Sequence, residues 1–363
     1  MHSLSPDASQ DLSLSPPQAG DAGGPGGALE NPGVYVHVPF CRRRCPYCSF
    51  ILIESDGSLH ERFVRKVADE LRRAGLKPRT LYFGGGTPSL LSAGQIACLV
   101  EAAGGRPSEV TLECNPDGLR LEGLRSAGVN RLTLGVQSLD DGLLRFLGRT
   151  HDADAARRAW REAERRFDNL CVDLIFGIPG QSLESWRRTL REVRDWNPAH
   201  ISLYGLTYEP GTPFGKIRER LSEEEERAQY ETAMDLLSGY RHYEISNFAR
   251  PGFESRHNWD CWTGVPYRGF GPGAHSYVPP RRWSNLSNVR LYLEREDVVL
   301  RSETLTPEQM RLERLFLGLR TDRGVELDRI PEDLEPFLER VEGRVRLTRA
   351  GKCVADAVLQ RLL

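Results

Sequence analysis

From Val34 onward the chain alternates short β-prone runs with longer stretches whose apolar residues recur at helical spacing. The β-prone runs are Val34–Val38, Thr80–Phe83, Glu109–Glu113, Arg131–Val136, Leu170–Phe176 and His200–Leu206. Between them, Leu59–Ala74 carries Phe63, Val64, Val67 and Leu71 on one stripe. Ser92–Ala103, Asp152–Arg166 and Leu183–Asp195 also read as helices, with a shorter one around Gly118–Ala127. Strands that alternate with helices imply a parallel sheet wrapped by those helices. Six such units are too few to close an eight-stranded barrel. The expectation is therefore an α/β chain with a partial (β/α)6 barrel over residues 33–215, extended by 216–300. Residues 301–363 read as helices around a hairpin-like Arg344–Leu347, closing on a helix Arg349–Leu362, a smaller α+β unit. Residues 1–32 are rich in Ser, Pro, Gly, Asp and Ala with almost no large apolar side chains, which predicts a disordered tail.

Composition narrows the class. Hydrophobic residues make up 39% of 363 and charged residues 28%, as in a globular chain. A formal net charge of −2 gives no support for nucleic-acid binding. Eight cysteines, three of them clustered, do not resemble a secreted disulfide framework. No apolar run reaches transmembrane length, and the N-terminus lacks a basic start followed by an apolar core. The expected location is the cytoplasm.

The chemistry-bearing stretch follows the first strand. Cys41, Cys45 and Cys48 stand at C-x3-C-x2-C in one short loop, with Tyr47 just before the last. Thiolates are soft ligands that select iron–sulfur clusters, copper(I) or zinc. A structural zinc site normally closes with four ligands, and a cubane normally takes four cysteines. Three thiolates with one vacancy suggest a cluster with an iron left open to a substrate. A zinc loop with a distant fourth ligand, or unrelated buried thiols, are the alternatives. The other polar motifs fall at the ends of strands: Gly84-Gly85-Gly86-Thr87-Pro88, Glu113-Cys114-Asn115-Pro116, Gly135-Val136-Gln137-Ser138 and Asp173 ahead of Gly177-Ile178-Pro179-Gly180. The ends of parallel strands are where α/β folds build sites from loops, so these positions are expected to converge on one rim. Cys98, Cys114, Cys171 and Cys353 lie in apolar patterns and read as core thiols.

C-x3-C-x2-C with Tyr47 resembles the signature of radical S-adenosylmethionine (SAM) proteins. The resemblance implies a 4Fe–4S cluster on Cys41, Cys45 and Cys48, with SAM bound at its open iron. The contexts of Glu113, Gln137, Arg149 and Asp173, together with Glu209-Pro210-Gly211-Thr212-Pro213, Tyr243–Ala249 and Tyr267–Ser276, resemble the coproporphyrinogen-oxidase branch of that superfamily. By that resemblance, Tyr35, Tyr47, Gly85, Gly86, Thr87, Glu113, Gln137, Arg149 and Asp173 surround SAM, and residues 301–363 form a winged-helix-like unit. No residue is assigned a catalytic role.

Two kinds of protein populate that branch. Its oxidases carry a fourth cysteine where this chain has Phe50, and they have an ordered N-terminal extension. Its haem chaperones have Phe at that place and add a His-Asn-x-x-Tyr-Trp motif. Here the stretch is His257-Asn258-Trp259-Asp260-Cys261-Trp262, with Cys261 in place of the tyrosine. The resemblance implies haem as cargo, with His257 or Cys261 as candidate ligands, since histidine and thiolate are both axial haem ligands. Packing of His257 and the tryptophans against the barrel mouth is the structural alternative. The chaperone reading further implies acceptor cytochromes or other respiratory haem proteins, an electron-donor protein, transient contact with a membrane protein and a homodimer. Radical decarboxylation of coproporphyrinogen III, or radical chemistry on another substrate, are the competing readings.

Overall fold

The computed structural model describes residues 31–362. Nearly all of the expected N-terminal tail lies outside the described residues. The parallel strands are β1 (Gly33–Val38), β2 (Thr80–Gly85), β3 (Glu109–Cys114), β4 (Arg131–Gln137), β5 (Leu170–Phe176) and β6 (His200–Gly205). Their side chains are buried on both faces, as expected where helices cover a parallel sheet. The helix after β1, α1 (His60–Ala74), buries Phe63, Val64, Val67, Ala68 and Leu71 against them. It stops at Gly75, whose φ of 61° lets its N–H reach back to Leu71 and Arg72 carbonyls. The next, α2 (Ala93–Ala103), starts at a capping box made by Ser92 and Gln95.

The sheet does not stop at six strands. β7 (Arg241–Glu244) and β8 (Asn247–Ala249) continue it antiparallel beyond β6. On the other side β9 (Tyr267–Phe270) pairs parallel with β1, followed by antiparallel β10 (His275–Val278), β11 (Arg281–Asn285) and β12 (Val299–Thr304). The strand order is β12-β11-β10-β9-β1-β2-β3-β4-β5-β6-β8-β7, one open twelve-stranded sheet. A partial barrel of six parallel units is therefore present, but its parallel set has a seventh member, β9. That strand was not expected: Tyr267–Phe270 is four residues long and contains a glycine, which weakens any strand signal.

Two further expectations need correction. Gly118–Ala127 is a run of turns rather than a helix, because Gly118 and Gly123 sit at φ of 65° and 77°. The C-terminal helix breaks at Val354 into Arg349–Cys353 and Ala355–Leu362. A second hydrophobic core gathers Leu319, Val325, Leu334, Leu338, Val345, Leu347, Val358 and Leu359 around the hairpin of Leu338–Val341 and Arg344–Leu347. Val299–Thr304 belongs to the large sheet, so this smaller unit begins after residue 304. Of the expected core thiols, Cys114 and Cys171 are buried, while Cys98 and Cys353 are half-buried.

Candidate functional site

The loop after β1 is built to present three thiols. Its first cysteine pairs with a short parallel bridge, Phe40–Cys41 against Ile53–Glu54. A turn follows in which Cys48 N–H donates to Cys45 O at 3.1 Å. Arg44 fastens the loop from within: its guanidinium donates to the carbonyls of Cys48 (3.1 Å), Phe50 (3.1 Å) and Leu52 (2.7 Å). One planar fork holding three carbonyls fixes the loop's curvature. In sequence, Arg44 reads only as one of three consecutive arginines.

The rim of the neighbouring strands meets this loop. Thr87 Oγ1 lies 3.3 Å from Cys41 Sγ and accepts from Asn115 Nδ2 at 3.1 Å. Arg149 donates to Asn115 Oδ1 (2.6 Å) and Gly135 O (3.1 Å), and stands 3.7 Å from Cys45 Sγ and 3.5 Å from Tyr47 Oη. A polar chain thus runs from Cys41 through Thr87, Asn115 and Arg149 to Cys45. Asn115 was quoted in its motif but not singled out as a site residue; its place between Thr87 and Arg149 appears only in three dimensions. Burial opposes the Arg149 charge, yet Tyr47 and Cys45 hold its pKa above the ordinary value. Burial pushes the Cys41 thiol up to about 11, although Thr87 partly offsets this. The thiols are not drawn onto one point: among the described residues, no group of three His, Cys, Asp or Glu side chains is placed to hold a single metal ion.

Behind the rim, two carboxyls face the interior. Glu113 accepts from Tyr82 Oη–H at 2.8 Å and from Gly85 N–H at 3.1 Å. Asp173 lies opposite Gly135 in the register of β4 and β5 and takes a weak bond from the Cys171 thiol, 3.4 Å away. Burial, reinforced by Asp173, raises Glu113 to about 7; burial raises Asp173 to about 6. Both carboxyls lie within their strands rather than past the strand ends, so they form the wall below the rim. Gln137 does end its strand, at a φ of 63° that is uncommon for a residue with a Cβ. A local register shift between Gly135 and Gln137 accompanies it. Such strain collects at ligand sites, because only a rigid surround sustains it. The glycines are spatial requirements: a Cβ on Gly86 would meet Phe40 O at 2.6 Å, and one on Gly84 would meet Glu113 Oε1 at 3.0 Å. Tyr35 lies deeper, its Oη 3.2 Å from His37 Nδ1 and its ring stacked with Tyr82 at 6.0 Å.

His257 is elsewhere. It lies on α3 (Arg256–Trp262), whose N-terminus is held by Glu109, the first residue of β3. Glu109 accepts from the N–H groups of Arg256 (3.0 Å) and His257 (3.1 Å), a carboxylate at a helix N-terminus. Arg79, just before β2, pairs with buried Asp260. The His257 ring is 5% exposed, hydrogen-bonded to Thr80 through Nδ1 at 3.0 Å and packed against Tyr82 at 5.2 Å. Thr80 and Glu109 begin their strands, whereas the cysteine loop follows the end of one. His257 therefore sits at the N-terminal floor of the barrel, not on the rim with the other candidates. Burial, helped by Arg131, lowers its pKa to about 4, so the ring is neutral. Cys261, on the same helix, is half-buried, and desolvation pushes its thiol up to about 12.

The class follows from where the thiols stand: a three-cysteine loop at the C-terminal mouth of a partial parallel barrel is the arrangement of a radical SAM protein. The radical SAM superfamily profile matches residues 35–193. The chain is 34% identical to the Heme chaperone HemW of Lactococcus lactis, over 87% of this chain and 88% of that one. It is likewise 34% identical to the Heme chaperone HemW of Bacillus subtilis, over 91% and 98%. With the mouse mitochondrial radical S-adenosyl methionine domain-containing protein 1 it shares 37% identity over 83% of this chain and 76% of that protein. In three dimensions it matches the Escherichia coli coproporphyrinogen III oxidase HemN with a TM-score of 0.78 over 92% and 90% of the two chains, at 22% identity, a likeness of fold. The chain belongs to the radical SAM superfamily, in the branch of these HemW proteins.

The cofactors of this family are a 4Fe–4S cluster and SAM, and the residues present fit both. Three soft donors share one loop, with the Thr87 hydroxyl beside Cys41 and the Arg149 guanidinium beside Cys45. When bound, the cluster supplies one electron for cleaving a carbon–sulfur bond of SAM. Cys41, Cys45 and Cys48 would hold the cluster. Gly85, Gly86 and Thr87 would offer backbone and hydroxyl groups to SAM, while Glu113 and Asp173, once ionised, would supply negative charge to a cationic ligand. Arg149, tied to Asn115 and Gly135, would offer a fixed guanidinium edge to a carboxylate or hydroxyl.

Proposed function

We propose that this protein is a haem chaperone: it binds haem as cargo, carries the cluster and SAM at its rim, and passes haem to respiratory cytochromes or other haem acceptors. The observation that carries the reading is identity of about one-third, along almost the whole of both chains, with proteins named haem chaperones. Phe50 supports it, since the position at which the oxidases carry a fourth cysteine holds an exposed phenylalanine instead. An electron-donor protein serves the cluster, and transient contact with a membrane protein accompanies transfer to a respiratory acceptor. No helix among the described residues is long and apolar enough to cross a membrane, and the reading places the chain in the cytoplasm. Haem reaches His257 only if its helix moves away from Thr80 and Glu109, so the cargo first meets the protein elsewhere.

The test is anaerobic. The cluster is reconstituted, and haem and coproporphyrinogen III are titrated separately with SAM present. Stoichiometric haem binding without decarboxylation is expected. Turnover of coproporphyrinogen III would make this an oxidase despite Phe50, and failure of both ligands would point to another substrate.

A further inference from the structure

The inner face of the barrel continues past β1 onto the antiparallel strands. Tyr267 of β9 pairs with Gly33 of β1, and Tyr277 of β10 pairs with Tyr267, their rings 6.4 Å apart. Residues paired directly across a sheet point to the same side, and alternate residues along a strand share a face. His275 therefore stands on this inner face, followed across the sheet by Ser284 of β11 and Arg301 of β12. Two residues nearer the floor, Tyr277, Arg282 and Glu303 form a second row. The helix Pro307–Leu319 covers that lower row, where Arg282 donates to Glu303 and, at 2.9 Å, to Glu313. The upper row is open: His275 and Arg301 are exposed and Ser284 is half-buried.

Among the described residues His275 is the one histidine exposed to solvent; His37, His151, His200 and His257 are buried, and His60 and His242 are half-buried. We propose that haem lands on this open row, with a His275 ring nitrogen as axial ligand to the iron and Arg301 holding a propionate. The inference rests on the haem-chaperone reading and gives its cargo a place of first contact. Side chains stand roughly perpendicular to a sheet, so a ligand nitrogen on His275 sets the porphyrin flat above the face. Ser284, between the two, is small and leaves room beneath the ring. His275 and Arg301 lie two strand spacings apart, about 10 Å. That span is comparable to the distance from the iron of a haem to its propionate carboxylates.

The chemistry at each position agrees with this placement. Histidine binds haem iron through the lone pair of its neutral ring. Desolvation, helped by Arg282, lowers the His275 pKa and favours that neutral form. Among the described residues, neither the His275 ring nor the Arg301 guanidinium has a hydrogen-bond or ion-pair partner. Arg282 is taken up by Glu303 and Glu313, whereas Arg301 is free to meet a carboxylate. The turn leading into His275 packs on the cysteine loop, where a Cβ on Gly273 would meet Ile51 Cδ1 at 2.0 Å. Phe50, next to Ile51 and 58% exposed, offers an apolar side chain at that margin.

Anaerobic haem titration of the full chain tests the proposal, read by the Soret band and by electron paramagnetic resonance of the ferric form. The wild type should bind haem stoichiometrically with the spectrum of a nitrogen ligand. His275→Ala should lose that spectrum and regain it when imidazole is added. Arg301→Ala should weaken the binding of haem about tenfold, the loss of one charge-assisted bond. It should leave the binding of haem dimethyl ester, whose propionates are uncharged, as it is in the wild type. Both side chains are exposed, so the melting temperature should hold in either variant. A wild type that binds no haem would overturn the chaperone reading itself. Haem binding and spectra that His275→Ala leaves unchanged would overturn this site and spare that reading. Equal losses of haem and of its ester in Arg301→Ala would overturn the propionate contact.

Discussion

The two ends of the barrel hold their polar groups in opposite ways. At the rim, Arg149, Thr87, Asn115 and the cysteine loop form a chain that leads to the thiols, with Glu113 and Asp173 behind it at raised pKa. At the floor, Arg79 is matched to Asp260, Thr80 to His257 and Glu109 to the N–H groups of Arg256 and His257, and these pairs close the barrel with α3. Groups that await a ligand carry uncompensated cost, and groups that fasten a helix do not. The contrast separates a binding end from a structural end within one sheet.

The sharpest break of that contrast is at the loop. Cys41→Ala, Cys45→Ala and Cys48→Ala should each abolish the visible absorbance of the reconstituted cluster; a variant with full iron content would remove that residue from the centre. Next come the wall and rim, where Arg149→Ala and Asp173→Ala should weaken SAM binding by about ten- to a hundredfold, the loss expected for a charge-assisted bond. Calorimetry would read the affinity, and iron content should stay unchanged. At the floor the effect should be on stability instead. His257→Ala removes a buried ring and its bond to Thr80, a cost of ~2–4 kcal/mol. The melting temperature should fall while SAM affinity stays within about twofold; a tenfold loss of SAM affinity would join floor to rim.

The smallest effect is a pH dependence confined to the rim. Glu113 and Asp173 are raised to about 7 and about 6, above the usual carboxyl range. Between about pH 4 and 7 the folded chain therefore binds more protons than the unfolded one. Ligand-free stability should fall as pH rises through that window. SAM affinity should rise over the same window, because a cationic ligand favours the ionised carboxylates. Calorimetric titrations at pH 6 and pH 8 would read it, and equal affinities would free Glu113 from the contact.

The sequence by itself determined the six parallel units, the order of the rim motifs and the cysteine loop. These depend on local periodicity and on contacts between residues near in sequence, such as the stripe of Phe63, Val64, Val67 and Leu71. Tertiary structure decided what spacing cannot encode. The role of Asn115 exists only because β3 and β4 bring it between Thr87 and Arg149, and Arg44 gained its function from carbonyls up to eight residues away that fold back on it. His257 looked like a ligand beside the rim motifs, but Glu109, about 150 positions earlier in the chain, draws its helix to the opposite end. The short additions β7 to β12, antiparallel apart from β9, were likewise invisible one strand at a time, because a strand of four residues such as β7 or β9 is specified by the neighbour it pairs with rather than by its own pattern.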